Sequence, residues 1–343
     1  MANRLPALKR ELPWLPEADE QVLQQSLRNL ARAFQNFFER RAAYPRFKSR
    51  HGPQSIQYPQ RVKLNGNLIY LPKVGWVQAV IHRKIIGKIK TITVSKNPCG
   101  RYYASVLTDD GKPMPQPVMP EGGKFTGLDL GLTDFVVTGK GQHFPNPHHL
   151  VKAEQNLRRK QRKLSRKQKG SKRRNKARLK VARAHERVKN ARNDFLHKLS
   201  RKLVDENQAL AFEDLHVKGM MKNPNLARAI SSAGWGTFTR FCEYKAARDA
   251  KFCVKTNRFY PSSKTCSECG KIRDVLPLNI RVWTCDGCGS VHDRDGNAAK
   301  NIGLEADWIF MAGFITTSGT GVAASGGRVR HAWRRKPSLR AAA

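Results

Sequence analysis

Acidic residues are scarce in this 343-residue chain: 26 Asp and Glu stand against 65 Lys and Arg, which leaves a formal charge of +39. So positive a surface repels itself and attracts polyanions, which argues against a solitary enzyme of small metabolites. Nucleic acid is the polyanion that fits, because each phosphate neutralised releases counterions and adds affinity. Long apolar runs are missing as well. No stretch approaches the roughly 20 residues that cross a bilayer, and Met1 to Pro13 lacks the apolar core of a signal peptide. A cytoplasmic, nucleoid-associated protein with no membrane partner is therefore expected. Cysteines number only seven, and where thiols stay reduced, paired cysteines bind metal rather than each other.

What is present suffices for two or three modules around at least one core. Residues 1–45 turn from a Pro-punctuated lead into a helix with Val22, Leu23, Leu27, Leu30, Phe34, Phe37 and Phe38 on one face. From Pro45 to Asp110, β-branched and aromatic runs surround turns at Asn65-Gly66 and Pro98-Cys99-Gly100, which predicts a small antiparallel barrel. Pro113 to Pro120 reads as a linker. Val151 to Val204 carries 22 Lys and Arg against three acids and divides at Gly170-Ser171 into two long helices. Its charges do not alternate, so intrahelical pairing is not their purpose and phosphate tracking is. Leu179, Ala182, Val188, Phe195, Leu199 and Leu203 form the buried stripe of the second helix. Helices over Trp235–Arg248 and from Ala298 to Phe310, and strands at Ala209–Phe212 and Phe252–Thr256, complete the ordered part. The tail, with Arg328, Arg330, Arg334 and Arg335, buries too little to order itself.

Two CxxC pairs, Cys266/Cys269 and Cys285/Cys288, stand fifteen residues apart, and each is followed by glycine. Four thiolates on two tight turns fill the tetrahedral sphere of zinc and leave no place for water, so the expected site is structural. The glycines supply the positive φ that such a turn needs after its second ligand. Cys99, Cys242 and Cys253 read as small buried hydrophobes.

Three acids carry the chemical expectation. Asp129 sits in an apolar strand, Glu213 ends another, and Asp295 opens the last helix. That order of elements suits an RNase H-like fold within an α+β multidomain chain. Three carboxylates brought together repel unless divalent cations neutralise them, and hard oxygen donors suit Mg²⁺ in two-metal phosphodiester hydrolysis. The sequence leaves open whether the three meet, and Asp214 and Asp293 stand near enough to be exchanged for Glu213 and Asp295.

The segments GLDLGLTDF, AFEDL, YPSSKTCSECG, IRVWTCDGCG and HDRDGNAAKNI together resemble the TnpB (OrfB-type) transposon-associated proteins, relatives of compact type V CRISPR effector nucleases. The resemblance implies an RNA-guided DNA endonuclease of a transposable element with a RuvC-like domain. Asp129, Glu213 and Asp295 would hold catalytic Mg²⁺, and the cysteines a structural Zn²⁺ in a target-nucleic-acid-binding ribbon. Asp295 is preferred to Asp293 because the family's acid stands two residues before the Asn of its NAA run, here Asn297. The implied layout is a helical recognition-domain remnant over 1–45 and an incomplete β-barrel wedge domain with linker over 46–120. A first RuvC-like segment follows over 121–264 with the basic hairpin 151–204, then the zinc ribbon over 265–292, a second RuvC-like segment over 293–312 and a disordered basic tail over 313–343. The implied partners are a guide RNA from the transposon end and double-stranded target DNA, bound by a monomer with one RNA. Gln24 and Gln60 fall where the family reads its target-adjacent motif, and Arg158, Arg159, Lys160, Arg173 and Arg174 are candidate phosphate contacts. The family's usual N-terminal wedge strand and helical pair are expected to be missing here. An RNA-guided DNA-binding regulator that does not cut and a transposase are the alternative readings.

Overall fold

Residues 4–47, 54–118 and 124–312 are described by the structure, a computed structural model. They fall into two compact units: residues to Pro113 together with Leu157–Glu186, and Met114–Asn156 together with Arg187 onward. The outer half of the basic hairpin thus groups with the first unit, where the boundary expected from the sequence places it in the second. The reason is Glu186, the one acid of residues 157–186. It accepts Asn97 Nδ2 at 2.5 Å and the Tyr103 hydroxyl at 3.1 Å, and it pairs with Arg101 at 3.5 Å.

In the first unit, α1 (Leu5–Glu11) leads through a single 3₁₀ turn to α2 (Glu20–Phe38). Asp19 caps α2 by accepting the Gln21 N–H at 3.0 Å, and it pairs with Arg61 at 3.1 Å. Only the start of the expected apolar stripe is covered. Val22 packs on the unit's core, whereas Phe38 is 74% exposed and Phe34, Phe37 and Tyr44 mainly stack on one another. The strands β1 (Gln54–Tyr58), β2 (Lys63–Asn65), β3 (Leu68–Leu71), β4 (Gly75–Gln78), β5 (Lys88–Lys96) and β6 (Tyr102–Asp109) are all antiparallel. They form two three-stranded sheets, β1-β5-β6 and β2-β3-β4, around a core of Tyr58, Ile69, Leu71 and Ile92. The strands do not form one closed barrel: residues 79–87 carry no strand pairing and leave β4 and β5 unbonded.

The second unit is built on one five-stranded sheet. Strands β7 (Thr126–Asp129), β8 (Asp134–Thr138) and β9 (His143–Pro145) form an antiparallel meander. Helices α3 (His149–Ser165) and α4 (Lys172–Glu206) follow; then β10 (Ala209–Glu213) pairs parallel to β7. The short α5 (Val217–Met220) and α6 (Ala227–Ala233) lead to α7 (Trp235–Arg248), and β11 (Phe252–Thr256) pairs parallel to β10. The order is β11-β10-β7-β8-β9. Both faces of β10 are buried, so it reads as a continuous apolar run. Leu210 and Phe212 join a core with Leu196 and Leu203 of α4 and Phe238 and Cys242 of α7. Ala209 and Ala211 face Ile302 and Ala306 of α8 (Arg294–Met311). Strands β12 (Val282–Thr284) and β13 (Val291–Asp293) close a separate hairpin just before α8. Among the described residues no helix is long and apolar enough to cross a membrane. Residues 119–120 of the expected linker, 121–123 at the start of the expected first RuvC-like segment, and the arginines of the expected tail lie outside the described residues.

Candidate active site and metal centre

Strand parity sets the first two acids. Side chains alternate along a strand, so Phe125, just ahead of β7, and Gly127 and Asp129 within it share the face that Ala209, Ala211 and Glu213 of β10 present. Ala211 pairs with Gly127, and two residues on, Glu213 comes level with Asp129 at the carboxyl ends of the strands. That face is the one α8 covers. A Cβ on Gly127 would lie 2.0 Å from the Ala299 carbonyl oxygen, and one on Gly303 would lie 2.6 Å from the Phe125 oxygen. Helix and strand backbones therefore touch directly, which only glycines permit. Asp295, Ala299 and Gly303 are spaced four apart and share one helical face. One helical step of four residues rises about 6 Å, and two strand residues rise about 6.6 Å. The contact of Ala299 with Gly127 thus brings Asp295 level with Asp129.

The electrostatics follow from this geometry. Asp129 is pushed up to about 7, first by burial and then by the negative charges of Glu213 and Asp295. Burial also raises Glu213, against a hydrogen bond from the Ser262 hydroxyl that lowers it. Asp295 is gripped by Arg281, whose Nη1 lies 3.1 and 3.3 Å from its two oxygens. The neighbouring acids are employed elsewhere. Asp214 pairs with Arg258, and Asp293 caps α8 by accepting the Gly296 N–H at 2.7 Å. Carboxylate oxygens are the hard donors that divalent cations prefer.

The cysteines converge separately. Their four sulfurs lie within 4.8 Å of one another, with Cys266 to Cys288 and Cys269 to Cys285 both at 3.6 Å. Tetrahedral zinc with bonds of about 2.3 Å requires sulfur separations near 3.8 Å, so the cluster can hold one ion. Each knuckle has the same turn. Gly270 and Gly289 stand at φ +76° and +73°, and their N–H groups donate to the carbonyls of Cys266 and Cys285 at 2.9 Å. Nε2 of His292 lies 3.1 Å from Cys266 Sγ. Of the other cysteines, Cys99 and Cys242 are buried and Cys253 half-buried.

Sequence reasoning missed the residues that lock these parts together. Asn297 and Asn301, four apart on α8, donate to the Ser262 and Thr265 carbonyls at 2.6–3.4 Å. Buried Arg294 donates to the Pro277 carbonyl at 2.6 Å. The repeated Asn and the Arg-Asp pair were visible signals in HDRDGNAAKN.

The remaining candidates are spread over the surface. Gln24 lies half-buried on α2 and Gln60 exposed in the β1–β2 turn, which Asp19–Arg61 ties to the start of α2. Arg158, Arg159 and Arg173 are exposed and Lys160 half-buried on the hairpin. Arg174 is engaged within the hairpin tip, where its Nη1 donates to the Leu164 and Lys167 carbonyls at 3.2 and 2.8 Å.

Residues 105–224 match the OrfB_IS605 family, described as "Probable transposase", and residues 235–302 match the Cas12f1-like TNB domain. A protein of Streptomyces pristinaespiralis named as an RNA-guided DNA endonuclease is 43% identical over 297 residues, covering 85% of this chain and 73% of the relative. InsQ of Escherichia coli K12, with the same functional name, is 33% identical over 326 residues, covering 90% and 80%. The cryo-electron microscopy structure of a Cas12f1 complex with single guide RNA and target DNA aligns with a TM-score of 0.46 at 14% identity, over 78% of this chain and 67% of that one. Identity of the level seen in the first two relatives, sustained along so much of both chains, places the sequence: it belongs to the TnpB family of RNA-guided DNA endonucleases.

Proposed function

We propose that this chain is the RNA-guided DNA endonuclease of a transposable element and that it cuts target DNA at Asp129, Glu213 and Asp295. The alignment of these acids on β7, β10 and α8 carries the reading, and Asp129, lifted to about 7 by burial first and then by the charges of Glu213 and Asp295, supports it. The sheet order, an antiparallel meander extended by two parallel strands, supports an RNase H-like, RuvC-type domain. The three carboxylates would hold Mg²⁺. Bound there, it supplies a Lewis-acid hold on the scissile phosphate and a water acidic enough to attack at neutral pH. The chain's own groups prepare that site. Ser262 orients Glu213, Arg281 offsets the charge of Asp295, and the Gly127–Ala299 contact fixes the separation of strand and helix acids. The four cysteines would hold structural zinc.

The partners are a guide RNA and double-stranded target DNA, with one RNA per monomer. Base pairing reads the target, while the protein reads backbone and a short duplex motif, for which Gln24 and Gln60 are the candidates. Arg158, Arg159, Lys160 and Arg173 serve phosphates. The test is plasmid cleavage by protein purified from its native locus with its RNA and Mg²⁺. Cleavage of a matched plasmid should vanish in Asp129→Ala with RNA binding intact. A variant that still cuts would refute the site, and bound target that is never nicked by the parent protein would favour a regulator.

A further inference from the structure

The outward face of β2-β3-β4 has no role in the reading above. Ile69 and Leu71 point into the core, so the alternate residues of β3, Leu68 and Tyr70, point out. Register then builds two rows across the three strands. Lys63 pairs with Tyr70 and Tyr70 with Trp76; Asn65 pairs with Leu68 and Leu68 with Gln78. The rings of Tyr70 and Trp76 lie 5.4 Å apart, tilted by 59°. Trp76 is 50% exposed, Leu68 39%, and Lys63, Asn65 and Gln78 are exposed.

A half-exposed tryptophan and a half-buried tyrosine on one sheet face, beside a cation and two amides, are ill suited to an apolar protein partner. They suit unpaired bases. Aromatic rings on a sheet stack against base faces, amides reach base edges, and a lysine meets the backbone. Charge agrees: from Arg40 to Thr108 there are 14 Lys and Arg and no Asp or Glu at all. A phosphate chain crossing this sheet meets no repelling carboxylate from its own strands.

We propose that Tyr70 and Trp76, flanked by Lys63, Asn65 and Gln78, form a stacking platform for unpaired bases of the bound RNA. The choice of RNA rests on the RNA-guided reading, in which RNA is the resident nucleic acid and DNA a transient one. The platform is tested by ultraviolet crosslinking of the full chain, once with its co-purified RNA and once with a labelled 12-mer of uridylate. Trypsin cuts after Lys63, Lys73 and Arg83, so residues 64–73 and 74–83 report the two rings on separate peptides. Nucleotide adducts are expected on both. Trp76→Ala should remove the adduct on 74–83 and weaken uridylate binding about 5- to 150-fold, the range of one lost base stack. Trp76→Phe should stay within about threefold of the parent.

No adduct on either peptide, or unchanged affinity in Trp76→Ala, overturns the platform. A 12-mer of deoxythymidylate that binds more tightly than uridylate with the same ring dependence overturns the RNA assignment in favour of single-stranded DNA. The nuclease reading is judged separately. Matched-plasmid cleavage without adducts removes the platform alone, and adducts without cleavage remove the nuclease alone.

Discussion

Asp129→Asn should make the metal-free protein more stable at pH 8 while removing the activity. In the parent, Asp129 rises from 3.8 to about 7, through burial and the charges of Glu213 and Asp295. The sign follows directly. Between about pH 4 and pH 7 the folded state holds a proton that the unfolded state releases, so this contribution is complete below the unfolded value and is lost as pH climbs through 7. A rise of that size corresponds to at most about 4 kcal/mol of repulsion and desolvation borne at pH 8. Asparagine has nearly the same shape and no charge, but its buried amide needs partners, so about 1–3 kcal/mol should be recovered. For a unit of this size that is roughly 3–8 °C in melting temperature. Thermal unfolding in chelator at pH 5.5 and pH 8 should show the variant gaining on the parent as pH rises. Adding 10 mM Mg²⁺ at pH 8 should then raise the parent and barely move the variant. Equal Mg²⁺ shifts in the two proteins, or a variant less stable at pH 8 in chelator, would refute the argument that these carboxylates form one cation site.

Other substitutions separate the roles of neighbouring groups. Asp214→Asn should leave cleavage rates within about twofold, because Asp214 pairs with Arg258 away from the cluster. Asp293→Ala should cost about 1 kcal/mol of stability as a lost helix cap and leave Mg²⁺-induced stabilisation in place. Gly127→Ala should cost more than about 3 kcal/mol, measured by denaturant unfolding, since its Cβ would meet the Ala299 oxygen at 2.0 Å. Mercurial release should yield one zinc per chain, and zinc-stripped protein should keep its far-ultraviolet helix signal while its plasmid cleavage is lost.

Local patterns carried the sequence reading furthest. Trp235–Arg248 is helical as its composition suggests, and Gly270 and Gly289 take the positive φ expected of them. Residues 294–297 already belong to the last helix, because Asp293 caps it four residues earlier than apolar periodicity reveals. Long-range pairing was less legible. Nothing in the β-rich run shows that β4 and β5 fail to bond, since closure depends on which edges meet rather than on propensity. Nothing in the sequence marks Gly127, whose purpose emerges only when Ala299 and Gly303 are found against it. The choice of Asp295 over Asp293 came from the spacing to Asn297 in the family's pattern, and the physical difference between them shows only in the fold: Asp293 is the cap of α8, while Asp295 stands in its first turn.

The cysteine ribbon and the acids form a single mechanical system. The chain entering the first knuckle passes through Ser262 and Thr265, whose carbonyls are held by Asn297 and Asn301, and the Ser262 hydroxyl holds Glu213. The loop between the knuckles runs through Pro277 and Ile280, whose carbonyls accept from Arg294, and reaches Arg281, which grips Asp295. The Arg294 N–H also donates to the Arg281 carbonyl at 2.7 Å. A four-residue hydrophobic cluster that already includes Cys266 and Cys285 is the ribbon's only buried apolar core among the described residues. So small a core cannot by itself hold these clamps in register, and a metal at the four sulfurs is the natural source of the missing rigidity. A structural ion that touches no substrate would then act on cleavage by fixing where Glu213 and Asp295 point.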